Sequence, residues 1–419
     1  MRVSPTRAVA ALVAAAAASL AVAQDRWIPS GPDRGLPVAS ARWLPWSDDE
    51  QHPANRAFRT TWLSELVPAE VGFALPSESA RAEKHGADAR YFGKRDGEPG
   101  DRRTFGGDGL QLPRESFSAA ESKALRDALD ALRGDALASL RAIPSSCVWL
   151  QSDLLRTARR LLDAESNPEL LAPLLDAARR LALPRAALTD TALSTFAPEE
   201  AQKIEPGIDP ERLVEVERKS TRLFDAERSL LWSRVFLQWP ADAAMQVPGH
   251  LAAIARGEKP TAPAGARALL VQGIVALDDQ GNACATSLAI DVRFQQFVGL
   301  EGVAAEESTT RDGVDFRVFW LERETLRRNG GKATLADFRE LHDDDQVLFR
   351  DYGTLKHTTV AAQCALCHRT SGTPEPELAG FPLLRKHAQP TVASSPKARA
   401  ELAERQFARF LAELQAAAK

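Results

Sequence analysis

The fold turns on residues 268–297, ALLVQGIVALDDQGNACATSLAIDVRFQQF. Leu269, Val271, Val275 and Leu277 recur at alternate positions before the turn-forming DDQGN of 278–282. After the turn, Leu288, Ile290, Val292 and Phe294 alternate against Asp291, Arg293 and Gln295. Successive side chains of a strand point to opposite faces, so this pattern predicts a β-hairpin with one apolar and one polar face. Residues 315–323, DFRVFWLER, read as another strand. Residues 230–239, LLWSRVFLQW, fit a strand of the same sheet or a short helix, because so short an apolar run has no decisive period. PTAPAG (260–265) before the hairpin and RRNGGKA (327–333) after it bound a small antiparallel β module at 261–330.

The rest of the chain reads as mainly α. At 115–260, Ser118 with Glu121 three residues on forms a capping box ahead of Leu125, Ala128, Leu129 and Leu132 at helical spacing. CVWLQSDLLRTARRLLDAE (147–165) continues that spacing, and Ser166, Pro168 and Glu169 open a further helix. Heavy Ala and Leu usage with short loops predicts packed antiparallel helices. Residues 24–114 read as a Trp- and Pro-rich arm with one helix, its aromatics packed on the body, followed by a linker rich in Gly and charge. Residues 331–419 are expected to form a helical segment. It opens with a helix at TLADFRELH capped by Thr334, and ends in an amphipathic helix that presents Leu402, Phe407, Phe410, Leu411 and Leu414.

Net charge of -4 and a pI near 6.1 give no basic excess for nucleic acid. Residues 1–23 carry Arg2 and Arg7, a short Ala-rich apolar run, and Ala21-Val22-Ala23 before Gln24. This is the pattern of a cleaved signal peptide, too short for a membrane span, and it predicts a periplasmic or secreted protein. Export bears on the four cysteines, because thiols outside the cytoplasm form disulfides or hold cofactors. Cys147 and Cys284 are expected either to pair as one disulfide or to remain separate buried thiols.

Cys364 and Cys367 stand with His368 in CALCH. C-x-x-C-H is the attachment signature of c-type haem: two thiols reach the two vinyl groups of one haem, and the adjacent imidazole sits under the iron. A structural zinc site would want a second ligand pair, and a thioredoxin-like motif would want a preceding βαβ pattern; neither is in the sequence. Through CALCH and the signal peptide the chain resembles the c-type cytochromes, over at most the last 90 or so residues. The resemblance implies one covalent haem c and His368 as proximal iron ligand. Small members of that family take a distal Met downstream of the motif, but this chain has no Met after Cys367. Met245, His387 and His357 are therefore the distal candidates, with Lys386 a minor one. Isolated His52, His85 and His250 read as surface or loop residues, and HDDDQ (342–346) as a solvated loop.

The expected function is electron transfer with a redox partner protein. The alternatives are a haem enzyme or gas or peroxide sensor with an open distal position, and a binding or scaffold protein that carries a haem.

Overall fold

A computed structural model describes residues 44–62, 64–66, 103–105, 113–114, 116–217, 230–258, 260, 262–297, 310–311, 314–341, 348–350, 357–359, 391–392 and 396–419. The hairpin of 268–297 forms as its alternation requires: β5 (Arg267–Leu277) pairs antiparallel with β6 (Ala283–Phe297). Asp278 closes the turn. Its carboxylate accepts from the backbone N–H of Gln280 at 3.1 Å and of Asn282 at 2.8 Å, and Gly281 takes a φ of +78°. The register shifts at Gly273, where a Cβ would lie 2.0 Å from the ring of Trp232. Only glycine lets that indole cross the strand.

The sheet is larger than the small module expected. Eight strands run in the order β12-β3-β4-β5-β6-β8-β7, with β9 also on β8, every pair antiparallel. Beside the hairpin and the expected strand β8 (Val314–Trp320), the sheet takes in β3 (Val214–Glu217), β4 (Leu231–Gln238), β7 (Thr310–Arg311), β9 (Arg339–Leu341) and β12 (Thr391–Val392). The ambiguous 230–239 run is thus a strand. Two further two-strand ladders pair β1 (Ser64–Leu66) with β2 (Arg103–Phe105), and β10 (Leu348–Arg350) with β11 (His357–Thr359). The architecture is mixed α and β rather than mainly α.

Helices α1 (Pro53–Trp62), α2 (Ala119–Ala131), α3 (Gly134–Arg141), α4 (Pro144–Asp163) and α5 (Leu171–Arg180) precede the sheet. The capping box at α2 is present in both directions: Ser118 Oγ accepts from Glu121 N–H, and Glu121 accepts from Ser118 N–H. TLADFRELH departs from expectation. One 3₁₀ turn at Leu335–Asp337 follows Thr334, and the chain then extends into β9. The Thr334–Asp337 capping box closes only that turn, and pairing of Arg339–Leu341 with β8 replaces further helix. After the short α6 (Arg185–Leu188), α7 (Val247–Ala255) and α8 (Arg323–Arg328), the chain ends in α9 (Pro396–Ala417).

One apolar core joins these layers. It takes Phe58 and Trp62 from α1, Trp149 and Leu154 from α4, Val292 and Phe294 from β6, and Phe407, Phe410, Leu411 and Leu414 from α9. The α1 aromatics pack on the body as expected. A second core lies on the other sheet face, where Val247 and Leu251 of α7 cover Val216, Val235 and Leu237. In the principal core Arg323, just after β8, donates to both carboxylate oxygens of Asp153 in α4, at 2.9 and 2.7 Å. The rings of Phe58, Trp62 and Trp149 lie 5.2, 4.9 and 4.8 Å from its guanidinium carbon.

Removing one member of such a buried pair strands the other charge. Asp153→Ala is expected to lower stability by about 3–5 kcal/mol, read from urea unfolding. At α2, the Arg114 side chain, which bonds Glu121 at 2.7 Å, and the N-cap hydrogen bonds at Ser118 pull the Glu121 carboxyl from 4.5 down to about 2. A carboxyl lowered on folding stabilises above its unfolded value and loses that contribution as pH falls through the folded one. Stability of the native chain should therefore fall between pH 4.5 and about 2, and Glu121→Gln should flatten that limb in pH-dependent thermal melts.

Candidate functional site

Two cysteines lie deep in the principal core. Cys147 opens α4 and Cys284 lies near the start of β6; both are fully buried, and they are separate free thiols rather than a disulfide. Burial pushes the Cys147 thiol up to about 12, and Cys284 up to about 11 despite the nearby Arg185. Neither has thiolate character at neutral pH, so neither is a ready metal ligand or nucleophile.

Cys364, Cys367, His368, Lys386 and His387 lie outside the described residues, as do His85 and HDDDQ at 342–346. His357 begins β11, with Arg350 as its Cα partner. Met245 stands in the turn before α7 and is 42% exposed. Its Cγ would lie 3.2 Å from a Cβ at Gly249, one turn into that helix. The α7 helix packs against β12, the strand that follows His387 in sequence. Val392, in that strand, is 45% exposed.

His52 and His250, expected as surface or loop residues, are both buried; His52 lies in the loop just before α1, whereas His250 lies within α7. His52 is buried, with Nε2 3.2 Å from Ser139 Oγ and Nδ1 accepting from Ala54 N–H. Burial holds its pKa below the ordinary value. His250 is buried in α7, its ring edge-on to Trp239 at 5.1 Å. Both are engaged in packing. Among the described residues no three His, Cys, Asp or Glu side chains are grouped to hold a metal ion, and no helix is long and apolar enough to cross a membrane.

On β6, sequence places Asp291, Arg293 and Gln295 on the polar face, and the structure shows that face largely closed. Asp291 is completely buried. It accepts from Trp320 Nε1 at 3.0 Å and from Arg293 Nε at 3.0 Å, while Arg293 also reaches Gln272 Oε1 at 3.4 Å. Burial raises the Asp291 carboxyl even though Arg293 opposes it. Alternation identified which face these groups occupy, but not that it is covered.

Because both core thiols are separate and buried, alkylation without reductant should leave Cys147 and Cys284 unmodified in the native chain. Both should be labelled after denaturation, as read by peptide mass spectrometry. A disulfide between them would instead block labelling until reduction.

Comparison with protein-family models found no match to this chain, and comparisons with curated proteins and with solved structures likewise found none.

Proposed function

We propose that the chain is an exported carrier of one covalently attached haem c, held by Cys364 and Cys367 with His368 as proximal iron ligand, and that it exchanges electrons with a redox partner protein. The observation that carries this reading is the fate of the other candidate ligands. A zinc site built on Cys364 and Cys367 needs two more ligands. Cys147 and Cys284 are sequestered in the core, and His52 and His250 are packed against their own neighbours. Two thiols two residues apart with an adjacent imidazole suit one porphyrin. The signal-peptide pattern of residues 1–23 adds the compartment in which such thioethers are made.

Haem held there supplies one-electron chemistry at its iron. On this reading the chain's own part is to fix the ring through two thioethers and to hold the His368 imidazole beneath the metal. Met245, whose side chain is solvent-exposed, is taken over His387 for the opposite side. Two protein ligands leave no open position for a small molecule, which favours electron transfer over gas or peroxide chemistry.

Protein exported with its leader should keep its haem through acid–acetone extraction, and the double variant Cys364→Ser, Cys367→Ser should lose it. Protein that comes through extraction without haem overturns the proposal. The ferrous spectrum should be low-spin and unchanged by CO. Met245→Ala should gain a CO-induced Soret shift, and His387→Ala should not.

A further inference from the structure

Apart from Met1, Met245 is the chain's sole methionine. The turn that carries it is held on both sides. Gln246 folds back over that turn, and its Nε2 donates to the Ala243 carbonyl at 3.0 Å. The Ala243 N–H donates in turn to the Pro240 carbonyl at 3.2 Å. On the far side, Val247 and Leu251 of α7 are anchored in the second core, and the buried His250 ring lies edge-on to Trp239. The Met245 side chain itself stays exposed.

Gly249 follows Met245 by four residues and is exposed within α7. Its backbone does not call for glycine, because its φ is not in the left-handed region. Glycine in a helix is less favourable than alanine, since more backbone freedom is lost on folding. The reason for a glycine here lies in its neighbour. A Cβ at 249 would stand 3.2 Å from Met245 Cγ and 4.0 Å from its Sδ. The first distance falls inside ordinary carbon–carbon contact of about 3.5–4.0 Å. Met245 therefore lies folded back along α7, across the space that a side chain at 249 would fill.

We infer that Gly249 is a positioning residue for the Met245 thioether. Its bare Cα lets Met245 lie against the helix with its side chain at the surface, on a turn whose backbone is already fixed. A thioether so placed suits a soft metal centre and reaches it with no rearrangement of either core. That the metal is the iron of a haem rests on the proposed function. A side chain at 249 would push Met245 out of this arrangement. It would leave Val247, His250 and Leu251 in place, because those face the protein interior.

The test compares Gly249→Ala and Gly249→Leu with wild type, each as the full exported chain. Both variants should melt at or above the wild-type temperature, because alanine and leucine are better helix formers than glycine. All three proteins should keep haem through acid–acetone extraction. Wild type should show no Soret shift with CO, Gly249→Ala a partial shift, and Gly249→Leu a shift as large as that of Met245→Ala. The reduction potential should fall in the same order, because a Met ligand raises it. Should Gly249→Leu misfold, the smaller Gly249→Ala decides alone. Glycine variants that match wild type in CO response and potential, while Met245→Ala does not, overturn the inference and leave the proposed function standing. Retained haem with Met245→Ala indistinguishable from wild type overturns it too, and leaves the attachment at Cys364 and Cys367 intact. Wild type that comes through extraction without haem overturns both.

Discussion

A buried carboxylate on the middle strand of a sheet constrains everything around it. Asp291 has no exposure, and desolvating an ion costs several kcal/mol unless partners replace its water. Here the indole N–H of Trp320 and the guanidinium of Arg293 replace that water. Both come from fixed register positions, one across the β6–β8 ladder and one two residues along β6. A register slip of β6 by one residue would turn Asp291 and Arg293 together to the opposite face and part the carboxylate from Trp320 of β8. The polar group therefore favours a single register in the ladder whose reverse side supplies Val292 and Phe294 to the principal core.

A second buried ion pair joins sheet to helices. Arg323 opens α8, three residues past the end of β8, and Asp153 sits in the middle of α4; the three rings around the guanidinium come from α1 and α4. The aromatics of the N-terminal arm, the long helix and the end of a central strand are thereby held at one point. Gln151, two residues before Asp153, adds a link at the other end of β5, accepting from Leu277 N–H at 2.7 Å and donating to its carbonyl at 3.2 Å. These contacts explain why the helical stretch and the sheet share one apolar core.

Sequence reading succeeded where a pattern was long. The hairpin at 268–297, the capping box at Ser118 and the apolar stripe of the last helix each rest on several residues in phase. It failed where elements are short or are decided by distant partners. Val214–Glu217 and Thr391–Val392 are too brief to show a period, and only pairing makes them strands. TLADFRELH carries a sound helix start, but β8 recruits its second half. His52 and His250 are single residues with no periodic context, so their burial was invisible. Among the candidate residues, the CALCH spacing is visible in the sequence alone, and its residues lie outside the described ones. The exposure of Met245 depends on how the chain packs around it and could not be read from ADAAMQVPGH.

Sheet order also changes what the late position of the motif means. A motif near the end of a chain reads as an appended cytochrome segment. Here the residues before it, Arg339–Leu341, are a strand on β8, and those after it, Thr391–Val392, are a strand on β3. The final helix then returns to the principal core, where Phe407 and Leu414 are buried and Glu404 binds Arg185 at 2.6 Å. Cutting the chain at 341 would remove a core helix along with the motif. CALCH therefore lies within a long connection between two opposite edges of one sheet, tethered at both ends.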